Sequence, residues 1–276
     1  MGGVAMRRLS KLIILAVLCV LPAVAAEDKF FNSDGVKIRY TDEGSGEPVI
    51  LIHGFSVNRE HEWVEPGVLP KLAHHYRVIA IDVRGHGKSD KPHDPSAYGP
   101  VMGMDVIRLM NSFNLPRAHI IGYSMGSMIT ARLLSDQPDR FLTAILGGGA
   151  GFRTITPEFT KRWDDIAAQL ERREMTEGWA SLHNDPLALF AVAKALPTLV
   201  WNENKMRRVR VPVLAIAGSN DPYLASAKDL KTVLPSVKLV IIEGATHAGE
   251  KGALYRPEFI AAVQDFLAAH RQGGGR

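Results

Sequence analysis

The chain has 276 residues, 46% of them hydrophobic, which is enough to bury a sizeable core and argues against a disordered chain. Its formal net charge is +4, but the first 26 residues contain three basic side chains and no acidic one. The remainder holds 30 basic against 29 acidic residues, so the charge implies no nucleic-acid partner.

The first 26 residues have the three parts of a secretory signal peptide. The basic side chains come first, Leu12–Leu21 is apolar, and Ala23–Ala26 offers small residues for cleavage after Ala25 or Ala26. The apolar stretch of about 15 residues is shorter than the ~20 that span a bilayer. The sequence therefore predicts export to the periplasm or beyond, without stable membrane association after cleavage. An uncleaved anchor is the alternative.

The single cysteine, Cys19, lies in this signal region, so the mature chain is expected to have no disulfide and no thiolate metal site. Leu18 precedes it, whereas a lipoprotein acceptor cysteine usually follows a small residue, which argues against lipidation. His74 and His75 are adjacent and no H-E-x-x-H motif occurs. We therefore expect neither a metal nor a cofactor.

Short apolar runs alternate with helical patterns along most of the chain. The turn Asn32–Gly35 separates two strand-like segments and predicts a hairpin. Six further runs have the pattern of buried strands: 48–52, 77–81, 118–121, 143–146, 211–217 and 237–242. Helical patterns lie at 70–74, 102–113, 127–135, 225–233 and 257–270. This alternation predicts an α/β fold with a mostly parallel sheet flanked by helices.

The alternation is interrupted in residues 152–206, the cap segment, where no strand pattern occurs. Thr156 and Asp185 each precede a proline, which is the pattern of a capped helix start. We expect a small inserted helical cap whose aromatic side chains line the substrate pocket: Trp163, Trp179, Phe190 and Trp201. Residues 27–151 and 207–271 would then form the core, and 272–276 a disordered tail.

Ser124 is the centre of Gly122–Gly126, a G-x-S-x-G motif between a strand pattern and a helix pattern. A serine that joins a strand directly to a helix occupies a tight, strained turn. Side chains two residues to either side would collide, so both flanks are glycine. The hydroxyl is then exposed at a helix N-terminus, which favours developing negative charge. This setting predicts a nucleophile.

A serine hydroxyl is a poor nucleophile unless a base removes its proton, and a carboxylate must orient that base. His247 follows the predicted strand 237–242, and Asp221 follows the predicted strand 211–217. In parallel sheets the carboxyl ends of the strands meet at one edge, where sites form. We therefore predict that Ser124, Asp221 and His247 lie together as a catalytic triad.

Two further motifs stand in the same chain: Leu51–Phe55 contains His-Gly-Phe, and Asp82–Ser89 reads D-x-R-G-x-G-x-S. Together with the order Ser124, Asp221, His247, they resemble the α/β-hydrolase fold family over nearly the whole mature length. The match is to its serine-nucleophile, esterase-like branch with a small helical cap. The resemblance implies a mostly parallel eight-stranded sheet flanked by helices, with the cap inserted.

The resemblance also implies an oxyanion hole, formed by the backbone N–H groups of Phe55 and Met125. Their side chains would shape the pocket instead of donating hydrogen bonds. It further implies structural roles for His53, His86 and Asp82, which would orient the loops around the site.

These features predict a serine hydrolase that cleaves a small-molecule carboxylic ester or lactone through an acyl-enzyme on Ser124. The same triad is compatible with cofactor-free haloperoxidase or perhydrolase activity, with carbon–carbon bond hydrolysis of diketones, and with acyl transfer. A ligand-binding receptor of the same fold is the non-enzymatic alternative, although such a protein usually has an altered triad.

Overall fold

A computed structural model describes residues 28–174, 178 and 182–272 of the chain. The predicted signal peptide, Trp179 and residues 273–276 of the predicted tail lie outside this described part. Among the described residues, no helix has the length and apolar character needed to cross a membrane.

The described chain forms one eight-stranded sheet, in the spatial order β1-β2-β4-β3-β5-β6-β7-β8. The first two strands are antiparallel to their neighbours, and all later pairs are parallel. The predicted fold class is therefore confirmed. The strands are β1 (Lys29–Ser33), β2 (Val36–Gly44), β3 (Pro48–Ile52), β4 (Arg77–Ile81), β5 (Ala118–Tyr123), β6 (Phe141–Gly147), β7 (Val213–Gly218) and β8 (Lys238–Ile242).

Helices cover both faces of the sheet. A π-helix at Glu60–Val64 precedes the first α-helix. The α-helices are α1 (Val68–Ala73), α2 (Pro100–Ser112), α3 (Met125–Asp136), α4 (Pro157–Glu171), α5 (Pro186–Ala195), α6 (Glu203–Met206), α7 (Leu224–Val233) and α8 (Pro257–Ala268). Short 3₁₀ turns occupy Pro95–Ala97, Pro138–Arg140, Leu196–Thr198 and Ala253–Tyr255.

The central strands are apolar on both faces because both faces are covered. On β3, Ile50 and Ile52 pack into the core cluster that includes α2, α3 and α7. Val49 and Leu51, which point to the opposite face, pack into the cluster that includes α1 and α8. Full burial of one such side chain stabilises the fold by roughly 1.5–3 kcal/mol. This two-sided core holds the carboxyl edge of the sheet as a rigid platform.

The elements around the G-x-S-x-G motif are longer than predicted. Glycine normally weakens strands and helices, so the predicted bounds 118–121 and 127–135 excluded both motif glycines. In the structure Gly122 continues β5 and Gly126 lies in the first turn of α3. Tertiary packing overrides the low propensity of glycine here, and Ser124 alone forms the connection.

The cap segment contains α4 and α5, which pack against each other. Each helix begins with a side-chain cap at the position that the sequence indicated. Thr156 accepts a hydrogen bond from the Phe159 amide, and Asp185 accepts from the amide of Leu187 at 2.8 Å.

The two ends of the cap segment lie side by side. Phe152 forms a parallel bridge with Val200, and the Trp201 amide donates a 2.9 Å hydrogen bond to the Phe152 carbonyl. The chain therefore leaves the core and returns to it at nearly the same point.

Candidate active site

Ser124 lies in a strained turn between β5 and α3. Its backbone has φ 54° and ψ −114°, a conformation that residues with a side chain seldom adopt. A Cβ atom at Gly122 would lie 2.1 Å from the Gly126 carbonyl oxygen, and one at Gly126 would lie 2.0 Å from the Ile52 carbonyl oxygen. Larger residues are thus excluded from both flanks, as the motif predicted on steric grounds.

The structure brings Ser124, His247 and Asp221 into one hydrogen-bonded line. The Nε2 atom of His247 lies 2.8 Å from Ser124 Oγ, and its Nδ1 atom lies 2.9 Å from Asp221 Oδ2. Asp221 and His247 lie in the loops after β7 and β8, at the edge of the sheet where β5 also ends. With a proton on Nδ1, the imidazole can accept the serine proton at Nε2.

Asp221 is held by two interactions. Its side chain has no solvent exposure, and its second oxygen, Oδ1, accepts a 2.8 Å hydrogen bond from the Tyr223 amide. Because Oδ1 is bound to the backbone, Oδ2 is directed at His247. This carboxylate can therefore fix both the tautomer and the orientation of the imidazole.

Two tyrosines hold the His247 loop in place. The Tyr123 hydroxyl donates a 2.6 Å hydrogen bond to the His247 carbonyl oxygen. The Tyr223 ring packs edge-on against the imidazole, with 4.9 Å between the ring centroids. Sequence reasoning missed both residues, although Tyr123 occupies a variable position of the G-x-S-x-G motif itself. Only the fold shows that this position faces the histidine loop.

The loop after β3 lies against the serine. A Cβ atom at Gly54 would lie 3.3 Å from Ser124 Cβ, and Phe55 lines a cavity together with Ser124. Met125 follows the serine as the first residue of α3. The predicted donors of the oxyanion hole, the Phe55 and Met125 amides, are thus on the two segments that flank the hydroxyl.

His53 connects this loop to the neighbouring strand. The Val83 amide donates a 2.9 Å hydrogen bond to His53 Nε2, so the ring carries its proton on Nδ1, which donates to the Gly54 carbonyl at 2.7 Å. Burial lowers the pKa of His53 to about 4, and burial lowers that of His86 to about 3. Both rings are therefore neutral at pH 7, and His53 orients the loop without acting as a base.

Two cavities meet at Ser124. The histidine-side cavity, of about 110 Å³, is lined by residues that include Gly54, Phe55, Glu62, Ser124, His247 and Tyr255. The methionine-side cavity, of about 20 Å³, is lined by residues that include Ser124, Met125, Met128, Phe152, Phe159 and Trp163. The serine hydroxyl is thus open to a partly polar space and to a small apolar one.

The aromatic residues predicted to line the pocket lie in different surroundings in the structure. Trp163 lines the methionine-side cavity and packs edge-on against Phe55, with 4.9 Å between the ring centroids. Phe190 packs against the hydrophobic core, and Trp201 is buried in it. Among the described members of the predicted set, only Trp163 contributes to the lining of these two cavities.

No cluster of three or more His, Cys, Asp or Glu side chains suited to a metal ion occurs in the part of the chain that the structure describes. The groups that the structure places at the site are the serine hydroxyl, the imidazole, the carboxylate and backbone amides.

The sheet order and the serine–histidine–aspartate line at its carboxyl edge are those of one class of protein, the hydrolases built on this α/β sheet. A family model described as the alpha/beta hydrolase fold matches residues 47–202. The chain belongs to the α/β-hydrolase fold family and is a hydrolase of that fold.

Its relatives differ in the reactions that their names describe. A non-heme chloroperoxidase from Streptomyces lividans is 39% identical, covering 84% of this chain and 98% of the relative. A 2-hydroxy-6-oxo-6-(2'-aminophenyl)hexa-2,4-dienoic acid hydrolase from Metapseudomonas resinovorans is 28% identical, covering 87% and 91%. The structure of an enol-lactonase from Burkholderia xenovorans superposes with a TM-score of 0.74 at 21% identity, covering 87% of this chain and 100% of the enzyme.

Proposed function

We propose that the chain is a serine hydrolase that cleaves a carboxylic ester or a lactone. The observation that carries this proposal is the continuous line from Ser124 Oγ through the His247 imidazole to Asp221, with contacts of 2.8 and 2.9 Å. These distances lie in the range in which proton transfer between nucleophile and base occurs.

In the first step Ser124 Oγ attacks the substrate carbonyl carbon while His247 Nε2 takes the hydroxyl proton. The tetrahedral intermediate collapses when the same imidazole returns the proton to the leaving alcohol oxygen, leaving an acyl-enzyme. Water then enters, His247 removes its proton, and the acid is released with Ser124 restored. The Asp221 carboxylate, 2.9 Å from Nδ1, stabilises the imidazolium that forms twice.

The negative oxygen of each tetrahedral intermediate needs donors that are already in place. The Phe55 and Met125 amides lie on the two segments that flank Ser124. In the proposed reaction they donate hydrogen bonds to this oxygen. Loss of one such donor typically raises the barrier by about 3–4 kcal/mol. Because His53 holds the Gly54 carbonyl, the loop that carries Phe55 is oriented before substrate arrives.

The two cavities indicate how the substrate lies. The leaving oxygen must reach His247, which lines the histidine-side cavity, so the alcohol portion occupies that space. The acyl portion then occupies the methionine-side cavity, whose volume of about 20 Å³ is little more than the ~10–15 Å³ that one water molecule needs. We therefore infer a short apolar acyl group.

A series of p-nitrophenyl esters tests this inference. We expect kcat/KM to be highest for the acetate and to fall by about tenfold or more for the octanoate, because a long chain must displace packed side chains. Trp163→Ala should widen the methionine-side cavity and raise the octanoate-to-acetate ratio. Phe190→Ala is the matched control, since Phe190 is an aromatic residue of the cap segment that packs against the core instead.

An octanoate-to-acetate ratio of kcat/KM that is the same in Trp163→Ala as in the wild type would contradict the assignment of the cavities. A wild-type preference for long acyl chains would contradict it as well. Either result would leave the serine mechanism intact, since that mechanism does not depend on which cavity holds the acyl group.

A second candidate is perhydrolysis, which the 39% identity to a non-heme chloroperoxidase favours. Hydrogen peroxide would replace water at the acyl-enzyme, giving a peracid and restoring the serine hydroxyl. Turnover of p-nitrophenyl acetate with peroxide present separates the two reactions. Enzyme-dependent accumulation of peracetic acid supports the second candidate, whereas release of acetate alone supports hydrolysis.

A further inference from the structure

Glu62 is a buried carboxyl group in the wall of the active site that the proposed reaction does not use. It lies in the π-helix at Glu60–Val64, a form of helix that often marks functional positions. Its residue surface is 7% exposed, yet it lines the histidine-side cavity together with Ser124 and His247. A Cβ atom added at Gly54 would lie 3.5 Å from Glu62 Oε2, so the carboxyl group lies beside the loop after β3.

The surroundings of this carboxyl group favour its neutral form. Among the described residues, no lysine, arginine or histidine forms an ion pair with Glu62. The titratable groups that share the cavity wall are Tyr123 from β5, Tyr255 from its 3₁₀ turn, His247, and His61 from the π-helix itself. Burial raises the pKa of Glu62 to about 8, and a hydrogen bond from the Gly54 backbone only partly opposes this effect.

A protonated carboxyl group has one O–H donor in addition to its acceptor oxygen. Because Glu62 lines the histidine-side cavity, we infer that this donor is available to a group bound there. A buried donor without a partner is unfavourable, and a bound ligand that supplies an acceptor would gain affinity. A saturated hydrocarbon in the same place would leave the donor unsatisfied.

We propose that Glu62 is a specificity-determining residue, whose carboxylic acid donates a hydrogen bond to an acceptor oxygen in the alcohol portion of the ester. This proposal rests on the proposed ester hydrolysis, because it places the leaving alcohol in the histidine-side cavity. The preferred substrate class is then a short-chain acyl ester of an alcohol that carries an ether, carbonyl or hydroxyl oxygen a few bonds from the scissile bond.

Two acetate esters of nearly equal shape test this proposal. Butyl acetate and 2-methoxyethyl acetate differ in one position, where the first has a methylene group and the second an acceptor oxygen. At about pH 7 we expect wild-type kcat/KM to favour 2-methoxyethyl acetate by about fivefold, the effect of one hydrogen bond. Glu62→Leu should abolish this preference, whereas Glu62→Gln should retain it, because the amide group still donates.

The pH dependence of the same ratio identifies the donor. A raised pKa means that Glu62 is protonated below about pH 8 and loses its donor above that value. The wild-type preference should therefore disappear between about pH 7 and pH 9.5, whereas the preference of Glu62→Gln should persist. Burial raises the pKa of Tyr123 and of Tyr255, so both hydroxyls stay protonated in this range.

Glu171→Gln is the control, since Glu171 is an exposed glutamate at the end of α4 and lines neither cavity. It should keep the wild-type ratio and its pH dependence. A wild-type ratio that does not change with pH, or a Glu62→Leu variant that retains the preference, would overturn the role of Glu62 while leaving ester hydrolysis in place. If the wild type turns over neither ester, this proposal fails; loss of p-nitrophenyl acetate turnover as well would remove the proposed ester hydrolysis.

Discussion

Replacement of Ser124 by alanine is expected to lower kcat for p-nitrophenyl acetate by at least about 10⁴-fold. The variant keeps the Cβ atom and the backbone turn but loses the oxygen that forms the acyl-enzyme. The residual rate would come from substrate binding and the oxyanion hole alone. Hydrolysis assays give the rate, and covalent labelling by a fluorophosphonate reports directly on the activated hydroxyl.

Ser127→Ala is the matched control for this experiment. Ser127 lies one turn further along α3, and its hydroxyl donates a 2.7 Å hydrogen bond to the Gly149 carbonyl and not to His247. It should keep both turnover and labelling. Wild-type activity in Ser124→Ala, with a circular dichroism spectrum that matches the wild type, would refute the nucleophile assignment.

Asp221→Asn is expected to lower kcat by about 10³–10⁴-fold with little change in shape. The Tyr223 amide donates to Oδ1, and this hydrogen bond requires an oxygen at that position in the variant. The amide NH₂ group is then directed at His247 Nδ1 in place of Oδ2. Two donors cannot face each other, so the imidazole carries its proton on Nε2, where it cannot accept from the serine.

The pH profile and the melting temperature together separate this explanation from simple destabilisation. A wrong tautomer lowers kcat at every pH in the working range and leaves the melting temperature unchanged. Loss of folded protein would instead lower the melting temperature. Asp229→Asn is the control, because Asp229 pairs with Arg153 at the surface and does not reach the site. Turnover by Asp221→Asn within about tenfold of the wild type would remove Asp221 from the mechanism.

The fold and the meeting of Ser124, Asp221 and His247 at one edge can be predicted from the sequence because both depend on local patterns. Buried parallel strands are short continuous apolar runs, and Ser124, Asp221 and His247 each follow one of them. The order of strands in a parallel sheet then determines that these residues meet at one edge. None of these steps requires knowledge of side-chain packing.

The walls of the site depend on packing, and the sequence does not reveal them. Phe190 and Trp201 have the same aromatic character as Trp163, but the sequence cannot distinguish the cavity face of the cap segment from its core face. Glu62 belongs to no motif, and a glutamate in a polar stretch normally faces solvent. Its burial follows from the π-helix and from contact with the Gly54 loop, which are properties of the folded chain.

Because the two ends of the cap segment lie side by side, this segment can change in sequence more freely than the strands of the core. The chain departs at Phe152 and returns at Val200–Trp201, joined by a single bridge, while α4 and α5 begin with their own side-chain caps. Because the segment leaves and rejoins the core at one point, its length and sequence can change without separating the strand ends that hold the triad, provided that the core contacts of Phe190 and Trp201 are kept.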